Sequence, residues 1–120
     1  MRKRIKLDVS EAGFTDLRGL LEETVADSGL SSGILTIRAM EPGVGLLHGP
    51  KAEEAKQDLW DDYARLFDGG FGPTVKAAVG GQALELIIVD GRPLLGEEET
   101  ICAAGYGGKK TAEIMVCCLG

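Results

Sequence analysis

Histidine is almost missing from this chain: His48 is the sole imidazole in 120 residues. A metal centre built on two histidines of one chain is therefore excluded, and neither a metal nor a cofactor is expected. Cysteine is scarce as well. Cys102, Cys117 and Cys118 are odd in number and lack the paired spacing of a metal site, so reduced thiols in the cytoplasm are the simplest reading. Positive charge is short, with 13 Lys and Arg against 19 Asp and Glu and a net charge of −6. Neither a nucleic-acid backbone nor an anionic membrane is then expected as a partner. No apolar run approaches the roughly 20 residues that span a bilayer. The basic start Met1-Arg2-Lys3-Arg4 is not followed by the apolar segment of a signal peptide. A phosphate-binding loop is absent too: Gly105-Tyr106-Gly107-Gly108-Lys109-Lys110 lacks the full spacing and reads as a turn with two solvated lysines. No repeat or low-complexity segment appears.

What is present is an ordinary globular composition, 44% hydrophobic and 27% charged, with a length that suits a single domain over 1–120. Its plainest local signal is Leu84 to Gly96, two apolar runs joined by Asp90-Gly91, a pair that accepts the positive φ angles of a tight hairpin turn. In the first run Leu84, Leu86 and Ile88 share one face, and Glu85, Ile87 and Val89 share the other. Only Glu85 is polar, so both faces should be covered, by a central position or by a subunit interface.

Elsewhere the chain alternates between strand and helix patterns. Ile5, Leu7 and Val9 alternate with polar residues as in a half-buried strand, which Glu11-Ala12-Gly13 breaks. Thr15 is positioned to cap a helix with Asp16 in its first turn; Leu17, Leu20, Leu21 and Val25 form its buried stripe and Gly29 ends it. Strands follow at Gly33 to Met40 and Val44 to His48. The longest helix is expected over Lys51 to Phe67, with Ala52, Ala55, Leu59, Tyr63 and Leu66 inward, Trp60 and Phe67 widening that face, and an Asp61–Arg65 pair outside. A glycine-rich loop over 68–73 leads to about two turns of helix from Thr74 to Val79. After the hairpin come the acidic bend Glu97-Glu98-Glu99, a strand over Thr100 to Ala104, and a last strand from Thr111 to Leu119 that is apolar on both faces. Two such strands exceed what one small core covers, which points to a self-assembled oligomer.

Chemistry is sparse. His48 reads as a polar strand end, with a pocket acid or base as the alternative. The Cys117-Cys118 pair points to opposite faces of a strand, as packing residues do. The acidic bend reads as solvated, unless one of its carboxylates faces a pocket.

The order of these elements, with Thr15-Asp16, Gly43-Val44, Asp58-Leu59, Val75-Lys76-Ala77, Asp90-Gly91-Arg92, Leu95-Gly96, Ile101 and Gly108 at their spacing, resembles the YjbQ-like family. Its members are labelled secondary thiamine-phosphate synthase enzymes, and the resemblance runs from about Ile5 to Gly120. It implies an α+β fold, a β-sandwich of seven to eight strands flanked by two main helices and a short one, assembled as a homotrimer. It also implies a polar pocket, and there this chain departs. The family's first histidine falls on Ala39 in the tract Ala39-Met40-Glu41-Pro42, its second on Thr74, and its glutamine on Glu99; Lys110 stands where arginine would. Glu41, His48 and Glu99 are the candidate catalytic residues that this leaves, and Thr74, Lys76 and Lys110 the candidates for holding a small anionic ligand. The implied function is a divergent protein with an altered pocket and weak or absent thiamine-phosphate synthase activity. Beside it stand an active transferase or hydrolase and a non-catalytic assembly or ligand-binding protein.

Overall fold

The computed structural model describes residues 1–10, 13–67, 70 and 72–120. The break expected at Glu11-Ala12 and the loop positions Asp68, Gly69 and Phe71 lie outside the described residues. Eight strands and three helices follow one another as β1 (Arg2–Asp8), β2 (Thr15–Asp16), α1 (Arg18–Ser28), β3 (Ser32–Ala39), β4 (Val44–Pro50), α2 (Glu53–Leu66), α3 (Pro73–Gly80), β5 (Ala83–Val89), β6 (Arg92–Pro93), β7 (Glu99–Gly105) and β8 (Thr111–Leu119). The strands form two antiparallel sheets, ordered β1-β8-β3-β5-β6 and β2-β7-β4. This is the expected α+β class.

The principal core lies between the sheets. Leu35, Ile37, Leu86, Ile88, Ile114 and Val116 of the larger sheet meet Val44, Leu46, Ile101 and Ala103 of the smaller one. Helix α1 adds Leu21 and Val25, both fully buried. Each such side chain contributes about 1.5–3 kcal/mol by leaving water. Gly29 ends α1 in the left-handed conformation, as its sequence position suggests.

The smaller sheet is covered on its second face too, by α2 and α3. Alternation along β7 sends Ile101 and Ala103 into the principal core, and Cys102 and Ala104 to the helices. This is why β7 is buried from Thr100 onward despite belonging to a three-stranded sheet. A second apolar cluster forms there from Ala77, Ala104 and Tyr106, with Phe14, Trp60 and Tyr63 packed against it.

Three local expectations change. Thr15 does not cap α1: it pairs with Ala103 as part of β2, and the residue before the helix is Leu17, without a side-chain cap. The inward face of α2 is narrower than its apolar spacing indicates. Leu66 is 66% exposed and Ala52 is exposed, while Lys56 is the one fully buried residue of the helix. Asp61 accepts a hydrogen bond from Gln57, and Arg65 pairs instead with Asp62. As the two-faced apolar strands suggest, the second face of the larger sheet is open within one chain. Leu119, Ile34, Ile87 and Leu94 lie in register across it, with Ile87 56% and Leu119 63% exposed. The hairpin itself forms where its sequence places it, with Asp90 at φ 52° and Gly91 at φ 76°. Among the described residues no helix is long and apolar enough to cross a membrane.

Candidate functional site

One polar cleft, about 230 Å³ in volume, opens where β3 ends and the chain turns toward β4. Arg38, Ala39, Met40, Glu41, Pro42 and Gln82 line it. Its floor is braced by Gln82, whose side-chain amide donates to the carbonyls of Glu41, Val44 and Pro42 at 2.9, 3.2 and 3.3 Å. The Gln82 carbonyl, just ahead of β5, joins in by accepting from the Ala39 amide at 2.8 Å. Backbone groups of a turn are thereby satisfied by one side chain, and the wall is held rigid.

Glu41 does not project freely into this cleft. The Lys109 ammonium donates to its Oε2 at 2.6 Å, and this hydrogen bond holds the carboxyl below its ordinary value. Glu41 is thus a fixed carboxylate at neutral pH, able to accept a hydrogen bond but poorly suited to deliver a proton. Arg38 makes no ion pair among the described residues, so the cleft offers one unengaged guanidinium beside a neutralised carboxylate.

The other candidates lie elsewhere. His48 is exposed on β4 opposite Ile101, and Glu99 pairs with Pro50 where β7 begins. Val44 pairs with Gly105 at the other end of the same two strands, and its amide donates to the Glu41 carbonyl. Six residues of β-strand separate these ends by about 20 Å, so Glu41 and Glu99 do not share one cleft within the chain. Glu99 turns back on its own loop and accepts from the Gly96 amide at 2.6 Å. Thr74 and Lys76 sit on α3, Thr74 exposed and Lys76 beside a second, aromatic pocket. Lys110 is exposed; its neighbour Lys109 is the lysine that reaches Glu41. No three His, Cys, Asp or Glu side chains among the described residues come together in a way that could hold a metal.

A further polar constellation has no signal in the sequence. The Lys56 ammonium, on a residue 5% exposed, donates to Asp16 Oδ2 at 2.9 Å and pairs with Glu53 at 2.9 Å. Asp16 Oδ1 accepts from the Thr100 hydroxyl at 2.6 Å and from the Arg18 amide at 2.9 Å. Burial works against both charges. Around Asp16 the Thr100, Arg18 and Lys56 donors outweigh it and lower the pKa; around Lys56 the Glu53 and Asp16 carboxylates outweigh it and raise the pKa. Cys102 pairs with Asp16 across the strands, and burial, aided by that carboxylate, pushes its thiol up to about 11. It is an inert packing thiol at neutral pH.

No family model and no curated protein matches this chain. Solved structures do. A YbjQ-like protein of unknown function from Sulfolobus solfataricus superposes with a TM-score of 0.89 at 15% identity, covering 100% of this chain and 96% of that one. An uncharacterized conserved protein of the YjbQ family from Clostridium acetobutylicum gives 0.87 at 20% identity, over 98% and 99% of the two chains. A conserved hypothetical protein from Thermus thermophilus gives 0.85 at 22%, over 98% and 99%. Over its whole length, then, this chain has the YjbQ-like fold.

Proposed function

We propose that this chain is a divergent YjbQ-like protein that assembles as a homotrimer and binds a small anionic ligand in the cleft at Arg38, Glu41 and Gln82, with weak or absent thiamine-phosphate synthase activity. The observation that carries this reading is the cleft itself. It opens beside Ala39, where the family resemblance puts an imidazole, and it holds Arg38 and a Glu41 already neutralised by Lys109. A guanidinium suits a carboxylate or phosphate through two parallel hydrogen bonds. Alanine supplies neither metal ligation nor proton transfer, and the separation of Glu41, His48 and Glu99 favours binding over an acid–base mechanism shared among them.

The open row Leu119–Ile34–Ile87–Leu94 supports assembly, because soluble monomers seldom leave such a stripe in water. Sedimentation should give a particle of about three times 12.7 kDa at micromolar concentration. Ile87→Asp, which places an unpaired carboxylate in that stripe, should dissociate it at a cost of several kcal/mol. A stable wild-type monomer, or an Ile87→Asp variant of unchanged size and melting temperature, contradicts the assembly.

The functional test is complementation of a thiamine-auxotrophic bacterium. The unmodified gene should not restore growth, and Ala39→His with Thr74→His is to be run beside it. Robust growth from the unmodified gene overturns the reading. Titration with inorganic pyrophosphate should show saturable binding that Arg38→Met weakens by about tenfold, the value of one charged hydrogen bond.

A further inference from the structure

The cleft at Glu41 offers more than a guanidinium. Gln82 spends its side-chain N–H groups on the carbonyls of Glu41, Val44 and Pro42, at 2.9, 3.2 and 3.3 Å. Its amide is fixed by them. The Oε1 atom that remains accepts no hydrogen bond among the described residues, and it keeps contact with solvent.

Glu41 is a second acceptor. Its side chain is 33% exposed, and the Lys109 ammonium donates to its Oε2. Lys109 foremost, with the Glu113 amide and the Lys6 charge, keeps this carboxylate ionised. A carboxylate has about four lone-pair sites, so capacity is left for a further donor. The ion pair is built into the fold. A Cβ at Gly43 would stand 2.8 Å from the Lys109 Cε, and one at Gly105 would stand 3.3 Å from the Lys109 Cβ. Two glycines thus leave open the path by which Lys109 reaches Glu41.

One cleft therefore holds an exposed donor fork on Arg38 and two accessible acceptors, on Glu41 and Gln82, with Ala39, Met40 and Pro42 completing its lining. A plain anion engages only the first. We infer that the cleft selects a hydroxy acid, a small anion whose acid group lies on Arg38 while its hydroxyls donate to Glu41 and to Gln82 Oε1. This rests on the reading of the cleft as an anion site. Charge makes the donor a hydroxyl and not an ammonium. Arg38 and Lys109 against Glu41 leave one positive charge, which a single acid group balances, whereas an ammonium would meet two cations. Ala39, Met40 and Pro42 suit a short carbon skeleton. The volume of about 230 Å³ is the room of several waters. Hydroxyls reproduce the hydrogen bonds of the water they displace, which a bare hydrocarbon chain does not. Arginine accepts carboxylate and phosphate alike, so the acid group is left to the experiment.

The test is calorimetric titration of the whole chain with two matched pairs, glycerate beside propionate and glycerol 3-phosphate beside propyl phosphate. Only the hydroxyls differ within a pair. One hydroxylated member should bind saturably in the millimolar range and about tenfold more tightly than its partner, the strength of one charged hydrogen bond. The pair that binds names the acid group. Glu41→Gln, which keeps the size and weakens the acceptor, should lower that preference several-fold. Equal binding within both pairs overturns the inference, as does a preference undiminished in Glu41→Gln or the absence of saturable binding by all four compounds. The wild-type pairs decide the matter without the variant. Pyrophosphate binding that Arg38→Met weakens, with no preference for hydroxyls, overturns the hydroxy acid and leaves the anion site standing. Absence of pyrophosphate binding as well overturns both.

Discussion

The two ends of β7 face the same helix and are finished in opposite ways. At Thr100, every polar atom is engaged: the hydroxyl goes to Asp16, Asp16 to Lys56 and to the amide of Arg18, and Lys56 to Glu53 as well. Just beyond the other end, at Tyr106, a hydroxyl equally removed from water has only the Tyr63 phenol beside it. One is a charged network closed on itself, the other an aromatic cluster in which a phenol has at best a second phenol to donate to. Burial alone therefore says little about role. A buried polar group whose partners are all present adds to stability, and one poorly partnered subtracts from it.

The contrast is broken most severely at Asp16. Asp16→Ala leaves the Lys56 ammonium buried with only the exposed Glu53 beside it, and should cost about 3 kcal/mol in urea unfolding. Adding Lys56→Met removes the stranded charge, and the double variant should recover most of that loss. An unchanged stability for Asp16→Ala would show that the network is ornamental.

The same pair makes a pH signature. Asp16 has a lowered pKa in the folded chain, so its contribution is present above the ordinary carboxyl value of 3.8 and drains away as pH falls through the folded value below it. Lys56 is raised above 10.5, and its contribution is present below that value and lost as pH rises through the folded one. Melting temperatures of wild type and Asp16→Asn should differ by a constant amount around neutrality and converge in acid below about pH 4. Thr100→Val comes next in size, a loss of about 1.5 kcal/mol for a hydrogen bond to a charged acceptor. Tyr106→Phe is the smallest and has the opposite sign: the free chain should gain up to about 1 kcal/mol. A loss in that variant would mean that the hydroxyl is satisfied in solution, and the two ends of β7 would be alike.

What can be read from the sequence is what depends on neighbours in the chain. Asp90-Gly91 specifies its own turn, Gly29 its own helix end, and the alternation in Leu84 to Val89 and Ile114 to Leu119 identifies both faces of the larger sheet, including the one left open. Asp16 misleads because its decisive partners, Lys56 and Thr100, are 40 and 84 residues away. Pairing with Ala103 and Cys102 overrides the capping tendency of Thr15-Asp16. Lys56 gives no signal, since a lysine in a polar helix ordinarily points to water. Of the adjacent Lys109 and Lys110, strand-to-turn geometry chooses the first for Glu41. The resemblance brings Ala39, Thr74 and Glu99 together as pocket positions, but the β4–β7 register sets Glu99 apart from Ala39 and Glu41 within one chain.

The strand order carries a consequence for how the molecule is made. Strand β8 comes last along the chain yet lies between β1 and β3, tied to the first by seven residue pairs and to the third by six. Neither of those strands has another route into a common sheet, so the larger sheet cannot close on a ribosome until Thr111 to Leu119 have emerged. Folding dominated by such distant pairings belongs to the millisecond-to-second range, far slower than that of helical bundles. A nascent chain stopped short of Thr111 is consequently not a smaller version of the protein; it holds β1 and one edge of β3 unpaired, two templates for sticking to another copy. For this fold, the risk of misassembly persists until β8 has emerged.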